Sequence, residues 1–157
     1  MLFEFEEPRN ARNARNATEK PWGVTMARDD LLHGQLTDRI IGEFLQEHRE
    51  LGPGFVESVY SRAMEIALTE AGLRVEREVP ILVYFRGKLV GSFRADMVVE
   101  SLVLLELKVG ERLDPSCEPT VLNYLRASHQ ELALILHFGP KPRVKRLIWT
   151  NDQKLLP

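Results

Sequence analysis

The chain has 157 residues, enough for one domain with a full-sized core, and its 44% hydrophobic and 28% charged content is that of an ordinary globular protein. A formal net charge of −2 excludes a molecule that is basic throughout, so any contact with an anionic polymer must come from a local patch. The single cysteine, Cys117, excludes an intrachain disulfide and fits a reducing, cytoplasmic setting.

The start, "MLFEFEEPRN", is acidic and lacks a signal-peptide core, and no apolar run is long enough to span a bilayer. Residues 1–34 include the polar repeat "RNARNARNATEK", which has almost nothing to bury and reads as a disordered or loosely attached tail. Met26 stands just before the globular part and is a second possible translation start. The domain is expected over 35–150, with 151–157 as a short C-terminal tail.

Leu36, Ile40, Ile41, Phe44, Leu45 and His48 repeat with helical spacing. Gly52, Pro53 and Gly54 stop that helix, and a second is expected from about Phe55 to Ala71, with Gly72 as its C′ residue. "VEREVPILVYF" and "KLVGSFRADMVVE" read as strands joined by a turn at Arg86-Gly87-Lys88, and "LVLLELKV" as a third. "DPSCEPTVLNYLRAS" reads as a helix capped at Asp114-Pro115, with Pro119 as a complication that can delay its start. "ELALILHF" and "RVKRLIW" complete the strands. The order of elements predicts an α/β or α+β domain with helices covering a central sheet.

Three charges interrupt the aliphatic stretch "FRADMVVESLVLLELKVG": Asp96, Glu106 and Lys108. Alternation puts Glu106 and Lys108 on the Leu102/Leu104 face, with Leu105, Leu107 and Val109 on the other. Both faces begin apolar, as in a central strand. If the hairpin tip is Glu100-Ser101-Leu102, Asp96 falls opposite Glu106. Two carboxylates ~4 Å apart repel by ~4 kcal/mol at an effective dielectric of ~20. Lys108 relieves part of that, and a hard divalent cation, Mg²⁺ or Mn²⁺, relieves more. Glu57 and Tyr60 share a helical face; if that face covers the sheet near Asp96, three carboxylates and one lysine sum to −2, which one Mg²⁺ balances. The chemistry that suits such a site is phosphodiester hydrolysis, with Lys108 orienting the water or stabilising the transition state. Two blander roles stay open from the residues alone: a solvated strand end for Glu106-x-Lys108, or acids satisfied by arginines such as Arg94.

"GPGFVESVY", carrying Gly54, Glu57 and Tyr60, together with "RADMVVE", "LLELK", "LNYLRAS" and "HFG", resembles the GxxExxY proteins of the PD-(D/E)XK nuclease superfamily. The resemblance runs from about Leu36 to about Ile148. It implies a restriction-endonuclease-like core, a mixed sheet flanked by helices. It implies that Asp96, Glu106 and Lys108 match the D…ExK signature, that Glu57 is the helical acid ahead of it, and that the Leu107 carbonyl completes a metal shell. Tyr60, Thr120 and Tyr124 are supporting positions in this reading. The stretch "CEPTVLNYL" departs from the family, with Thr120 where glutamine is usual and Cys117 where histidine is common. The implied partner is nucleic acid, DNA before RNA. The late cluster Lys141, Arg143, Lys145 and Arg146, with Arg94, Arg86, Lys88 and Arg126, is the candidate phosphate-binding surface. For any one of these, a solvated strand edge is the competing reading.

Overall fold

The computed structural model describes residues 31–154 and the backbone of residues 3–5. The expected tail within residues 1–30 otherwise lies outside the described residues, as do residues 155–157. The elements are β1 (Phe3–Phe5), α1 (Gly34–Leu51), α2 (Glu57–Glu70), β2 (Val75–Phe85), β3 (Lys88–Val99), β4 (Val103–Val109), α3 (Cys117–Arg126), β5 (Leu132–Phe138) and β6 (Arg143–Ile148). The sheet order is β1-β6-β5-β4-β3-β2. Only β4 and β5 run parallel; every other neighbouring pair is antiparallel. A parallel pair needs a crossover, and α3 supplies it. This is a mixed sheet with helices on both faces, the restriction-endonuclease-like architecture.

Local chemistry sets the boundaries. α2 ends in a Schellman motif: Gly72 at φ 77° donates to Thr69 O, and Leu73 N donates to Leu68 O, with both leucines in the core. β2 and β3 are joined by the two residues Arg86 and Gly87, both at positive φ, and Lys88 is already paired with Phe85. α3 begins at Cys117, later than the Asp114-Pro115 cap would place it. Asp114 instead turns the chain ahead of the helix, its Oδ1 accepting from Ser116 N at 2.8 Å. Pro119 then falls in the first turn, where its missing N–H leaves no bond unmade.

Two clusters fill the layers. Ile40, Phe44, Tyr60, Met64 and Leu68 of α1 and α2 pack on Met97, Leu105, Leu107, Leu134 and Leu136. On the opposite face Val121, Tyr124 and Leu125 of α3 cover Leu104, Ala133 and Ile135. β5 is buried along its whole length and β4 along all but its last two residues. Aliphatic residues at successive positions suit strands covered on both sides.

Besides a bulge at Val83/Tyr84, the β2–β3 ladder breaks its alternation near the site. Arg77 of β2 turns to Ser61 and Glu65 of α2, whereas Val79 joins the α3 side. Across the ladder, Met97 faces α1 and α2 while Ala95 faces α3. Between these residues stand Glu78, at φ 54°, and Asp96, and the register skips that pair. The break frees the Asp96 side chain from the ordinary pleat at the centre of the domain.

Candidate active site

β3 and β4 pair through Val99/Val103, Val98/Leu104 and Met97/Leu105, closing the tip Glu100-Ser101-Leu102 as expected. The next step of that register sets Asp96 against Glu106, but the backbone ladder stops there. Asp96 Oδ2 takes the ladder's place by accepting from Leu107 N at 2.7 Å. A neutral-to-charged bond of this kind fixes one oxygen of the carboxylate and leaves the other available. Glu106 lies on the Leu104 face, and its Oε1 accepts from Lys108 Nζ at 2.7 Å. Its Oε2 is buried with no partner.

Glu57 reaches the same place by a route that sequence did not foresee. The body of α2 packs on the opposite face of the sheet, through Tyr60, Met64 and Leu68. Only its first residue approaches the acids, with Glu57 Oε2 4.0 Å from Lys108 Nζ. The expectation that this helix face covers Asp96 is therefore corrected. Tyr60 is wholly buried, stacked on Phe138 at 4.2 Å; its hydroxyl donates to Gly52 O at 2.5 Å and accepts from Phe55 N at 3.2 Å. It pins the Gly52–Phe55 turn that leads into Glu57.

The electrostatics follow from this crowding. Burial pushes Glu106 up to about 7, with Asp96 adding to the rise and Lys108 opposing it. Burial also raises Asp96, offset by the Leu107 N–H and by Lys108. Glu57 is raised by burial against the pull of Lys108. For Lys108, burial acts downward, but Glu106, Glu57 and Asp96 outweigh it and the amine is held above its ordinary value. Arg77, which the sequence reading passed over, also lowers Asp96 from across the break.

Tyr124 of α3 overlooks the site: burial raises its hydroxyl, and Glu106 adds to the shift. Cys117 is buried nearby, its thiol raised by burial and lowered by Lys108. Thr120 is exposed, and its hydroxyl donates back to Ser116 O at 3.1 Å. The basic candidates do not form one surface. Arg146 is turned inward, 7% exposed, donating to Thr37 Oγ1 at 3.0 Å and to Leu32 O, so it is withdrawn as a phosphate contact. Lys145 is paired with Glu118 and Arg94 with Glu78. Lys141 and Arg143 remain exposed.

Asp96 and Glu106 offer hard oxygen donors, and the orphaned Glu106 Oε2 is the kind of buried atom a cation satisfies. No group of three His, Cys, Asp or Glu side chains suited to a metal occurs among the described residues. Two carboxylates with a backbone carbonyl and water suit Mg²⁺, which keeps much of its hydration, better than they suit a metal needing a full protein cage.

A mixed sheet bringing an acid from one strand beside an acid-x-lysine pair on the next defines a nuclease-like domain of the restriction-endonuclease type. The family model of the PD-(D/E)XK nuclease superfamily matches residues 34–147, and the chain belongs to that superfamily. Comparison with curated proteins and with solved structures gives no match. No helix among the described residues is long and apolar enough to cross a membrane.

Proposed function

We propose that this domain is a metal-dependent nuclease that hydrolyses phosphodiester bonds, of DNA before RNA, and that it falls in the GxxExxY group through Gly54, Glu57 and Tyr60. Asp96, Glu106 and the Leu107 carbonyl would hold Mg²⁺ or Mn²⁺. Bound there, the cation supplies Lewis-acid polarisation of a phosphate oxygen and offsets charge on the leaving oxygen. Lys108 orients the attacking water and stabilises charge as it develops in the transition state. Glu57, 4.0 Å away, helps to hold the Lys108 ammonium. Asp96 is oriented by the Leu107 N–H, so it needs no rearrangement to act.

The observation carrying this reading is the convergence of Asp96, Glu106 and Lys108 around an unpartnered Glu106 oxygen. A second reading, a catalytically silent module that binds nucleic acid or a protein, draws on Thr120, whose side chain is spent on Ser116 O away from the acids. One assay separates them. Single-stranded, duplex and branched DNA and RNA are incubated with wild type and Lys108→Ala, with Mg²⁺, Mn²⁺ or EDTA. Cleavage that needs metal and vanishes in Lys108→Ala supports the nuclease. Salt-sensitive binding without cleavage supports the module.

A further inference from the structure

The β2–β3 hairpin carries unusually exposed aromatic surface next to the proposed catalytic centre. Tyr84 is 45% and Phe93 40% exposed. Together with Trp149 and the C-terminal end of α3 they line a groove of about 440 Å³. Arg126 stands over the Trp149 ring at 5.4 Å, and its Nη1 donates to Asn123 Oδ1 at 3.3 Å. Lys154 also lines the groove, but its ammonium is committed to Ser128 O and Gln130 O, so it belongs to the scaffold.

The groove adjoins the acids by two routes. Phe93 lies three residues from Asp96 on β3, ~10 Å at ~3.3 Å per residue. Its ring is 5.4 Å from that of Tyr124, whose hydroxyl feels Glu106, Lys108 and Asp96. A span of ~10 Å corresponds to about three nucleotides of a stacked strand.

We propose that this groove holds unpaired nucleotides beside the scissile phosphate, so that the substrate of the nuclease is single-stranded or carries a single-stranded branch. This rests on the nuclease reading above and adds the substrate class to it. Aromatic faces that differ little in chemistry stack any base, Arg126 meets a phosphate, and the Asn123 amide meets a base edge. The volume admits about one or two nucleotides, whereas a duplex keeps its base faces stacked inside and offers the rings nothing to stack on. A purely apolar partner fits less well, because the groove pairs its rings with a guanidinium and an amide.

The test reads binding without metal, so that it stands apart from cleavage. In a Trp22→Phe background Trp149 is the sole tryptophan. Titration with dT12 or rU12 in EDTA should quench its fluorescence, and either polymer or both supports the proposal. A blunt 12-base-pair duplex should neither quench nor compete. Tyr84→Ala and Arg126→Gln should each weaken binding about fivefold or more, with unchanged melting temperatures. No quench, equal competition by duplex, or unaltered affinity in Tyr84→Ala overturns the proposal. So does a dimer in sedimentation that Tyr84→Ala dissociates, which would make a second copy the occupant. If wild type binds but cleaves nothing under any metal, the nuclease reading fails and the groove stands as a binding site. Cleavage of duplex and single strands at equal rates, untouched by Tyr84→Ala, leaves the nuclease and removes the groove.

Discussion

Glu47 offers a test of the fold in which neither metal nor substrate takes part. It faces inward from α1, 5% exposed, and both carboxylate oxygens lack a partner. Burial pushes its pKa from an ordinary 4.5 to about 8. The folded chain thus holds a proton that the unfolded chain has lost between those values. Stability from this group is whole below about 4.5 and declines as pH rises towards about 8. At pH 7 the gap spans ~2.5 pH units, or ~3 kcal/mol at ~1.36 kcal/mol per unit, as an upper bound. The groove beside Glu47, lined also by Gln46, Glu43, Glu50 and Glu70, is open to water, which reduces that to ~1–2 kcal/mol. Glu47→Gln keeps the shape and removes the titration. Urea denaturation of both proteins at pH 5 and pH 8 should show the variant gaining ~1–2 kcal/mol on wild type between the two conditions. Any constant cost of burying the amide cancels in that difference. A wild-type-minus-variant difference that is the same at both pH values refutes the reasoning.

Asp96→Asn removes the like charge that helps raise Glu106, so the Glu106 carboxyl should titrate below its present value of about 7 in a carbon-detected NMR titration. Mg²⁺ at ten times its dissociation constant should stabilise wild type by ~1.4 kcal/mol and leave Asp96→Ala unmoved in a thermal melt. Because the folded Glu106 is raised, that stabilisation should grow as pH climbs through about 7, where the carboxylate becomes free to bind. Tyr60→Phe keeps the ring on Phe138 but strips Gly52 O and Phe55 N of their partner; a loss of ~1–2 kcal/mol in urea denaturation is expected. Its cleavage rate should fall through misplaced Glu57, while Mg²⁺ affinity, read by the melt, holds.

The central strand was legible because "LVLLELKV" is apolar on both faces before its charges begin, and the register because Glu100-Ser101-Leu102 forms so short a tip. The side from which Glu57 arrives was not legible. Helical spacing says which face of α2 is apolar but not which layer of the sheet takes it. The break at Glu78 and Asp96 was hidden too, since a glutamate at positive φ leaves no pattern in composition. Alternation did hold a correction that the basic cluster concealed. Lys145 and Arg146 are neighbours on β6 and must face opposite ways, one to Glu118 on α3 and the other to Thr37 on α1. Of the four charges only Lys141 lies off that strand, and the three on it cannot all share one face.

The arginines around the site bear on the two accounts of its acids. Were Asp96 and Glu106 structural, a nearby guanidinium should neutralise them, since a buried carboxylate without a cation is costly. Two arginines stand on the neighbouring strands: Arg94 pairs with Glu78, and Arg77 pairs with Glu65 while also lowering Asp96. Lys108 acts on both acids and pairs with Glu106, and Glu57 draws upon it as well. Both guanidiniums thus form their ion pairs with glutamates outside the site. A guanidinium at Glu106 would fill the orphaned oxygen for good, whereas a small exchangeable cation fills it and still leaves coordination positions open for phosphate. Raised carboxylates, one shared ammonium and an oxygen without a partner make a poor structural element and a suitable receptor for a divalent ion.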